Sequence, residues 1–215
     1  RCIPCKIFKL KRSQSLMGSS QDPKMTFRGP MFDTVADAAG PFSLLPHVKS
    51  TMVQKYLVIV FVCRSTNFVH FELVDSATPK AFLDSLDGVR ATFGDVNSLQ
   101  MDPSTMFQPL SSAGISHPTW ENPESRQEYL RQTIETVGKD AAKKRYRVHI
   151  SPPKSSWKQS QCELVVSDIK RALYFESSSK FDGVQWSYGL DQLTAQDFKA
   201  LMSRLAFSLN SRPYM

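Results

Sequence analysis

A mixed α/β fold, five strands in one sheet with helices on its faces, is expected from this sequence on three grounds. The run Lys55–Arg64 (KYLVIVFVCR) is continuously apolar and β-branched, as in a strand covered on both sides. An alternating segment, Asn67–Val74, follows across Arg64-Ser65-Thr66, a link short enough for a hairpin. Beyond it, helical and strand patterns take turns, which is how strand–helix crossovers read. Antiparallel strands first and crossovers afterwards make the sheet mixed.

In chain order, residues 1–30 are polar, basic and rich in Ser, Pro and Met, and read as a linker after an upstream module. A first strand is expected over Phe32–Ala38, ending at Gly40-Pro41, and the hairpin comes next. Thr78-Pro79 opens a helix, because Thr caps well and Pro suits the first helical position. Phe82, Leu83, Leu86, Val89 and Phe93 recur at helical spacing, and Gly94 closes the helix. Val96–Met101 is a strand that delivers Asp102 at its C-terminal end, and 103–121 look irregular. Asn122-Pro123 begins a helix reaching about Val137, with Tyr129, Leu130, Ile134 and Val137 on one stripe. Arg145–Ile150 is the last strand, stopped by Ser151-Pro152-Pro153. Helices over about Gln159–Phe175 and Thr194–Leu209 complete the set.

The 215 residues, 41% hydrophobic and 22% charged, allow one large domain with a substantial core. A chain beginning at Arg1 is expected to be a piece of a longer one. The longest apolar run, Tyr56–Cys63, is far too short for a membrane span, which needs about 20 residues. Four cysteines make no disulfide framework; Cys63 and Cys162 read as core thiols, which suits a reducing compartment, nucleus or cytoplasm. The net charge of +7 is concentrated in two stretches. Residues 1–12 carry Arg1, Lys6, Lys9, Lys11 and Arg12 with no acid, and residues 139–158 carry seven cations against Asp140 alone. Clustered positive charge fits a polyanionic partner, because neutralising phosphates releases counterions.

Three acids are the candidates for chemistry. Asp37 closes the first strand, Asp102 closes the fourth, and Glu163 lies in the first turns of a helix. Strand ends of an open sheet are where binding crevices form. Carboxylates gathered there repel one another unless cations neutralise them. Mg²⁺ suits such a site, since it takes oxygen ligands and two such ions assist in-line phosphoryl displacement.

Several short segments then fall in a familiar order: CIPCKIFK, FDTVADAAGPF around Asp37, KYLVIVFVCRSTNFVHFELV, TPKAFLDSL, MDPSTMF around Asp102, ISPPKSSWKQSQCELVVSDIKRAL around Glu163, and LNSRPYM. Together they resemble the integrase region of BEL/Pao-type long-terminal-repeat retrotransposons, within the retroviral-integrase superfamily. The resemblance implies an RNase-H-like DDE catalytic core over 31–215, preceded in 1–30 by the tail of a zinc-binding module and its basic linker. It implies 3′ processing of DNA ends and their joining to target DNA. Asp37, Asp102 and Glu163 would be both the catalytic residues and the ligands of Mg²⁺ (or Mn²⁺). DNA and further copies of the chain are the implied partners, with no membrane. Cys2 and Cys5 match half of a Zn²⁺ site whose His pair would lie upstream of Arg1 in the longer parent. No matching His spacing occurs among His47, His70, His117 and His149, and His70 is expected to be packed or at the surface.

On the helix of Glu163, Ser167 and Lys170 share the acid's face. Lys170, with Arg171 beside it, is the first expectation for DNA contact, and Lys154 and Lys158 on the preceding loop come next. Some residues depart from the family pattern. Pro103-Ser104 replaces the usual Asn-Gly after the second acid, Gln159-Ser160 replaces Gly-Gly before the third, and Cys162 replaces a Trp. Pro fixes φ and lacks the N–H that Gly would leave free. The intact acids favour an enzyme, a polynucleotidyl transferase. The altered neighbours favour a decayed or domesticated DNA-binding or oligomerising scaffold without catalysis. A cellular ribonuclease H would share the fold, but the Asp37 context, the CxxC and the Asn-Ser-Arg-Pro ending belong to the integrase side.

Overall fold

The sheet grows outward from the apolar run. In the computed structural model, which describes residues 29–102, 123–151, 160–177 and 193–211, that run is β2 (Gln54–Cys63). It is buried continuously from Leu57 to Cys63. β1 (Asp33–Leu44) and β3 (Val69–Val74) flank it, both antiparallel. β4 (Ser98–Met101) joins β1 in parallel, and β5 (Arg147–Ile150) joins β4 in parallel, giving the order β3-β2-β1-β4-β5.

Alternation along these strands divides the core into two layers. On one face Ala36, Ile59, Phe61, Leu99 and Met101 pack with Phe82, Leu86 and Val89 of α1 (Pro79–Phe93) and with Val137 and Ala141 of α2 (Pro123–Lys144). On the other, Val35, Ala39, Val58, Val60 and Phe71 pack with Cys162, Val165 and Ile169 of α3 (Ser160–Ser177) and with Phe198 and Met202 of α4 (Ala195–Asn210). Each large side chain so buried contributes about 1.5–3 kcal/mol. The result is a five-stranded mixed sheet flanked by four helices, the expected α/β architecture, consistent with an RNase-H-like fold. Among the described residues no helix is long and apolar enough to cross a membrane.

α1 starts and stops as its sequence signals: the Thr78 hydroxyl accepts from the N–H of Ala81, and Gly94 at φ 95° donates back to the Arg90 carbonyl. β3, β4 and β5 each begin two residues later than expected, and two boundaries differ more. β1 does not end at Gly40-Pro41 but runs on to Leu44. Ala39 pairs with Val58 and Phe42 with Tyr56, so three steps on β1 match two on β2: a β-bulge. Gly40, at φ 132°, and Pro41, joined by a cis bond, occupy it. A bulge is one of the few sheet positions where Pro is accommodated. The surplus residue also resets the alternation, so Phe42 and Leu44 continue the face of Val35 and Ala39.

The second difference is α2, which continues past Val137 to Lys144. Buried Val137 and Ala141 hold this last stretch on the core, and Glu135–Lys139 and Asp140–Lys144 ion pairs support it. It ends where Arg145 turns left-handed at φ 60° and the Tyr146 N–H reaches the Ala141 carbonyl at 3.1 Å, a Schellman closure without glycine.

Candidate active site

β1 and β4 run parallel from Asp33↔Ser98 to Ala36↔Met101, and the next residue on each strand is an aspartate. Asp37 and Asp102 are thus neighbours one step beyond the last ladder pair, on strands about 4.8 Å apart. Alternation puts both on the face of Val35, Ala39 and Gln100, opposite to Ala36, Leu99 and Met101. Both are half-buried. One carboxylate oxygen of Asp37 accepts from the N–H of Ala38 at 2.8 Å, at the level where the ladder to β4 has ended.

The third acid comes from above that face. α3 packs on β1 and β2, with Cys162, Val165, Ile169 and Leu173 buried at helical spacing. Its first turns are held at two points: the Cys162 thiol donates to the Val35 carbonyl at 3.6 Å, and the Gln161 side-chain amide donates to Asn67 Oδ1 at 2.9 Å in the β2–β3 turn. Asn67 sits left-handed there at φ 55°. Glu163 follows Cys162 and is exposed at the surface of the helix. Burial pushes the Cys162 thiol well above its usual pKa, and the charges of Asp37 and Glu163 push it further the same way. One buried thiol thus senses both acids, one from the sheet and one from the helix.

Among the described residues, no group of three or more His, Cys, Asp and Glu side chains is gathered closely enough to hold a metal ion. The register brings two acids together, and α3 holds the third over the same face as an exposed group. As donors all three are carboxylates, the chemistry Mg²⁺ and Mn²⁺ prefer.

Lys170 is exposed on α3 and has no ion pair among the described residues; Arg171 pairs with Asp168 of its own helix at 3.3 Å. Lys154, Lys158, Pro103-Ser104, Cys2 and Cys5 lie outside the described residues. Cys63 and Cys162 are both free and buried, as core thiols should be. His70 packs edge-on to Phe93 and bonds Glu72 at 2.8 Å on β3, away from the acids. Sequence reasoning did not anticipate the two anchors of α3. Asn67 carried a signal, being a residue type that tolerates the left-handed turn, but Val35 acts through its backbone and carries none.

No family model matches the chain, and no curated protein matches it. Solved structures do. A chain of the simian T-cell lymphotropic virus intasome, determined by cryo-electron microscopy in complex with PP2A regulatory subunit B56 gamma, is similar at a TM-score of 0.46 and 13% sequence identity. The match covers 90% of this chain and 62% of that one, so this chain spans less than two thirds of that relative's length.

Proposed function

We propose that the chain is an integrase core of the retrotransposon type, which cuts DNA ends and joins them to target DNA in a metal-dependent reaction. The observation that carries the reading is the parallel register of β1 and β4, which brings Asp37 and Asp102 side by side on the face that α3 covers. The motif order around Asp37, Asp102 and Glu163 supports the same assignment. Asp37, Asp102 and Glu163 would hold Mg²⁺ or Mn²⁺. The bound ions would supply charge neutralisation for the three acids and for the phosphate under attack. The chain's own part is to hold these carboxylates: Asp37 by the Ala38 N–H, and Glu163 by the seat of α3 on β1. DNA is the proposed substrate and further copies of the chain the proposed partners, with exposed Lys170 meeting the DNA backbone from α3.

A second reading, an integrase-derived scaffold without chemistry, draws on Pro103-Ser104 directly after Asp102. One experiment separates the two. With Mg²⁺ or Mn²⁺ and DNA ending in the cognate repeat, wild type processes 3′ ends, while Asp102→Asn loses processing and keeps DNA binding. Wild type that binds DNA but neither processes nor joins it with either metal leaves the scaffold.

A further inference from the structure

The alternation that brings Asp37 and Asp102 to the α3 face brings two more side chains there from the outer strand. Tyr146 and Val148 pack into the α1–α2 layer, so Arg147 and His149 face the opposite way, on the side of the two aspartates. His149 pairs with Gln100 and Arg147 with Ser98, one and two same-face positions before Asp102. Each such position is a step of about 6.6 Å along the strand. The two side chains therefore make a short row leading along the sheet edge to the acids.

The structure also sorts the basic stretch 139–158, which the sequence presents as undivided. Lys139 is spent on Glu135 at 2.8 Å, and Lys144 is held between Asp87 at 2.6 Å and Asp140 at 2.9 Å. Arg147 and His149 are exposed, and neither side chain has a hydrogen bond or ion pair among the described residues. The carboxylate in Arg147's own row, Asp33, lies two strands away and already accepts from the Ser98 hydroxyl. α3 packs on β1 and β2, and α4 packs on β3, so these helices seat themselves on the other half of the sheet.

We propose that the outer strand β5, through Arg147 assisted by His149, is the surface that grips the phosphate backbone of the polynucleotide leading to Asp37 and Asp102. The proposal rests on the reading of the site as a DNA-processing one and names the groups that hold the substrate. A guanidinium suits such a grip, being planar, always charged and able to donate two parallel N–H bonds to a phosphate.

The test is equilibrium binding of a fluorescent DNA duplex, followed by anisotropy across a salt series, with EDTA present so that metal chemistry plays no part. Arg147→Glu should weaken binding about 10-fold, and Arg147→Gln should lower the slope of log affinity against log salt by about 1. Lys139→Glu, a control on the α2 side where the lysine is already paired, should change affinity less than about 2-fold. Circular dichroism melts check folding, and the milder Arg147→Gln decides if Arg147→Glu melts early. The proposal is overturned if both Arg147 variants bind with wild-type affinity and slope, or if Lys139→Glu weakens binding as much as Arg147→Glu. Because the assay needs no metal, it is independent of whether wild type processes DNA ends, so the failure of either reading is seen separately.

Discussion

The Cys162 thiol meets the Val35 carbonyl at 3.6 Å, joining residues 127 positions apart and setting α3 on β1 next to Asp37. The side chain is 0% exposed and lies in the packed layer of Val35, Val165 and Ile169. Cys162→Trp should therefore overpack this interface and destabilise the fold by about 1–3 kcal/mol. Urea denaturation measures it. An unchanged midpoint would mean that α3 can lift without cost.

Gly40→Ala is expected to cost about 1–3 kcal/mol. A methyl group there would sit 3.1 Å from both Leu57 Cδ2 and the Tyr56 carbonyl oxygen, on a backbone at φ +132°. Thermal unfolding reads the loss. Since the bulge lies three residues beyond Asp37, the same variant should also reduce any metal-dependent activity.

Asn210→Leu should destabilise by about 1–3 kcal/mol and promote aggregation. The Asn210 side chain accepts from the Val69 N–H at 2.7 Å and donates to the Val69 carbonyl at 2.9 Å, standing in for a neighbouring strand at the edge formed by β3. Leucine keeps the bulk and leaves both backbone groups unserved. Denaturation together with light scattering checks both effects; a soluble variant of wild-type stability refutes the edge-capping role.

Tyr146→Phe should flatten the alkaline limb of the stability profile. Burial raises the Tyr146 phenol's pKa, and its hydrogen bond to Asp140 at 2.9 Å raises it further. A group whose folded pKa lies above its unfolded value stabilises fully below the unfolded pKa. Here that value is about 10, and the contribution declines as pH rises through it. Wild type should lose stability above about pH 10 more steeply than the variant. At neutral pH the variant should be weaker by about 1.5–3 kcal/mol, the worth of a hydrogen bond to a charged partner. Chemical denaturation between neutral and alkaline pH tests both limbs.

The parts of the fold written in local chemistry were readable from the chain: Thr78-Pro79 and Gly94 frame α1, and the unbroken apolar run gives β2. The misplaced boundaries belong to residues whose conformation is fixed by backbone bonds that side-chain periodicity does not show. Arg145 ends α2 in a conformation usually given to glycine, and the closure became visible only with Tyr146 bonded back to Ala141. Pro41 looked like a stop because a proline inside a strand usually is one, and only the pairing of β1 with β2 reveals the bulge. For the site, Asp102 was identifiable as a strand-end acid, whereas Asp37, expected to close the first strand, lies inside β1 (Asp33–Leu44), at the point where only the pairing with β4 stops. Their adjacency is set by a parallel ladder between segments far apart in the chain, which periodicity does not encode. The division of the basic stretch into spent and available cations likewise needed Glu135 and Asp87 in place.

The bulge at Gly40-Pro41 gives β1 something like a reading frame. Upstream of it odd-numbered side chains look toward α3; downstream, even-numbered ones do. Exchanging one residue for another there alters size or strain at a single point. Flattening the bulge with both residues kept would instead shift everything that follows by one position and send Phe42 and Leu44 to the α1–α2 side, whereas deleting one of the two would leave them two and four steps after Ala39, still facing α3. The surplus residue and the bulge that absorbs it thus belong together.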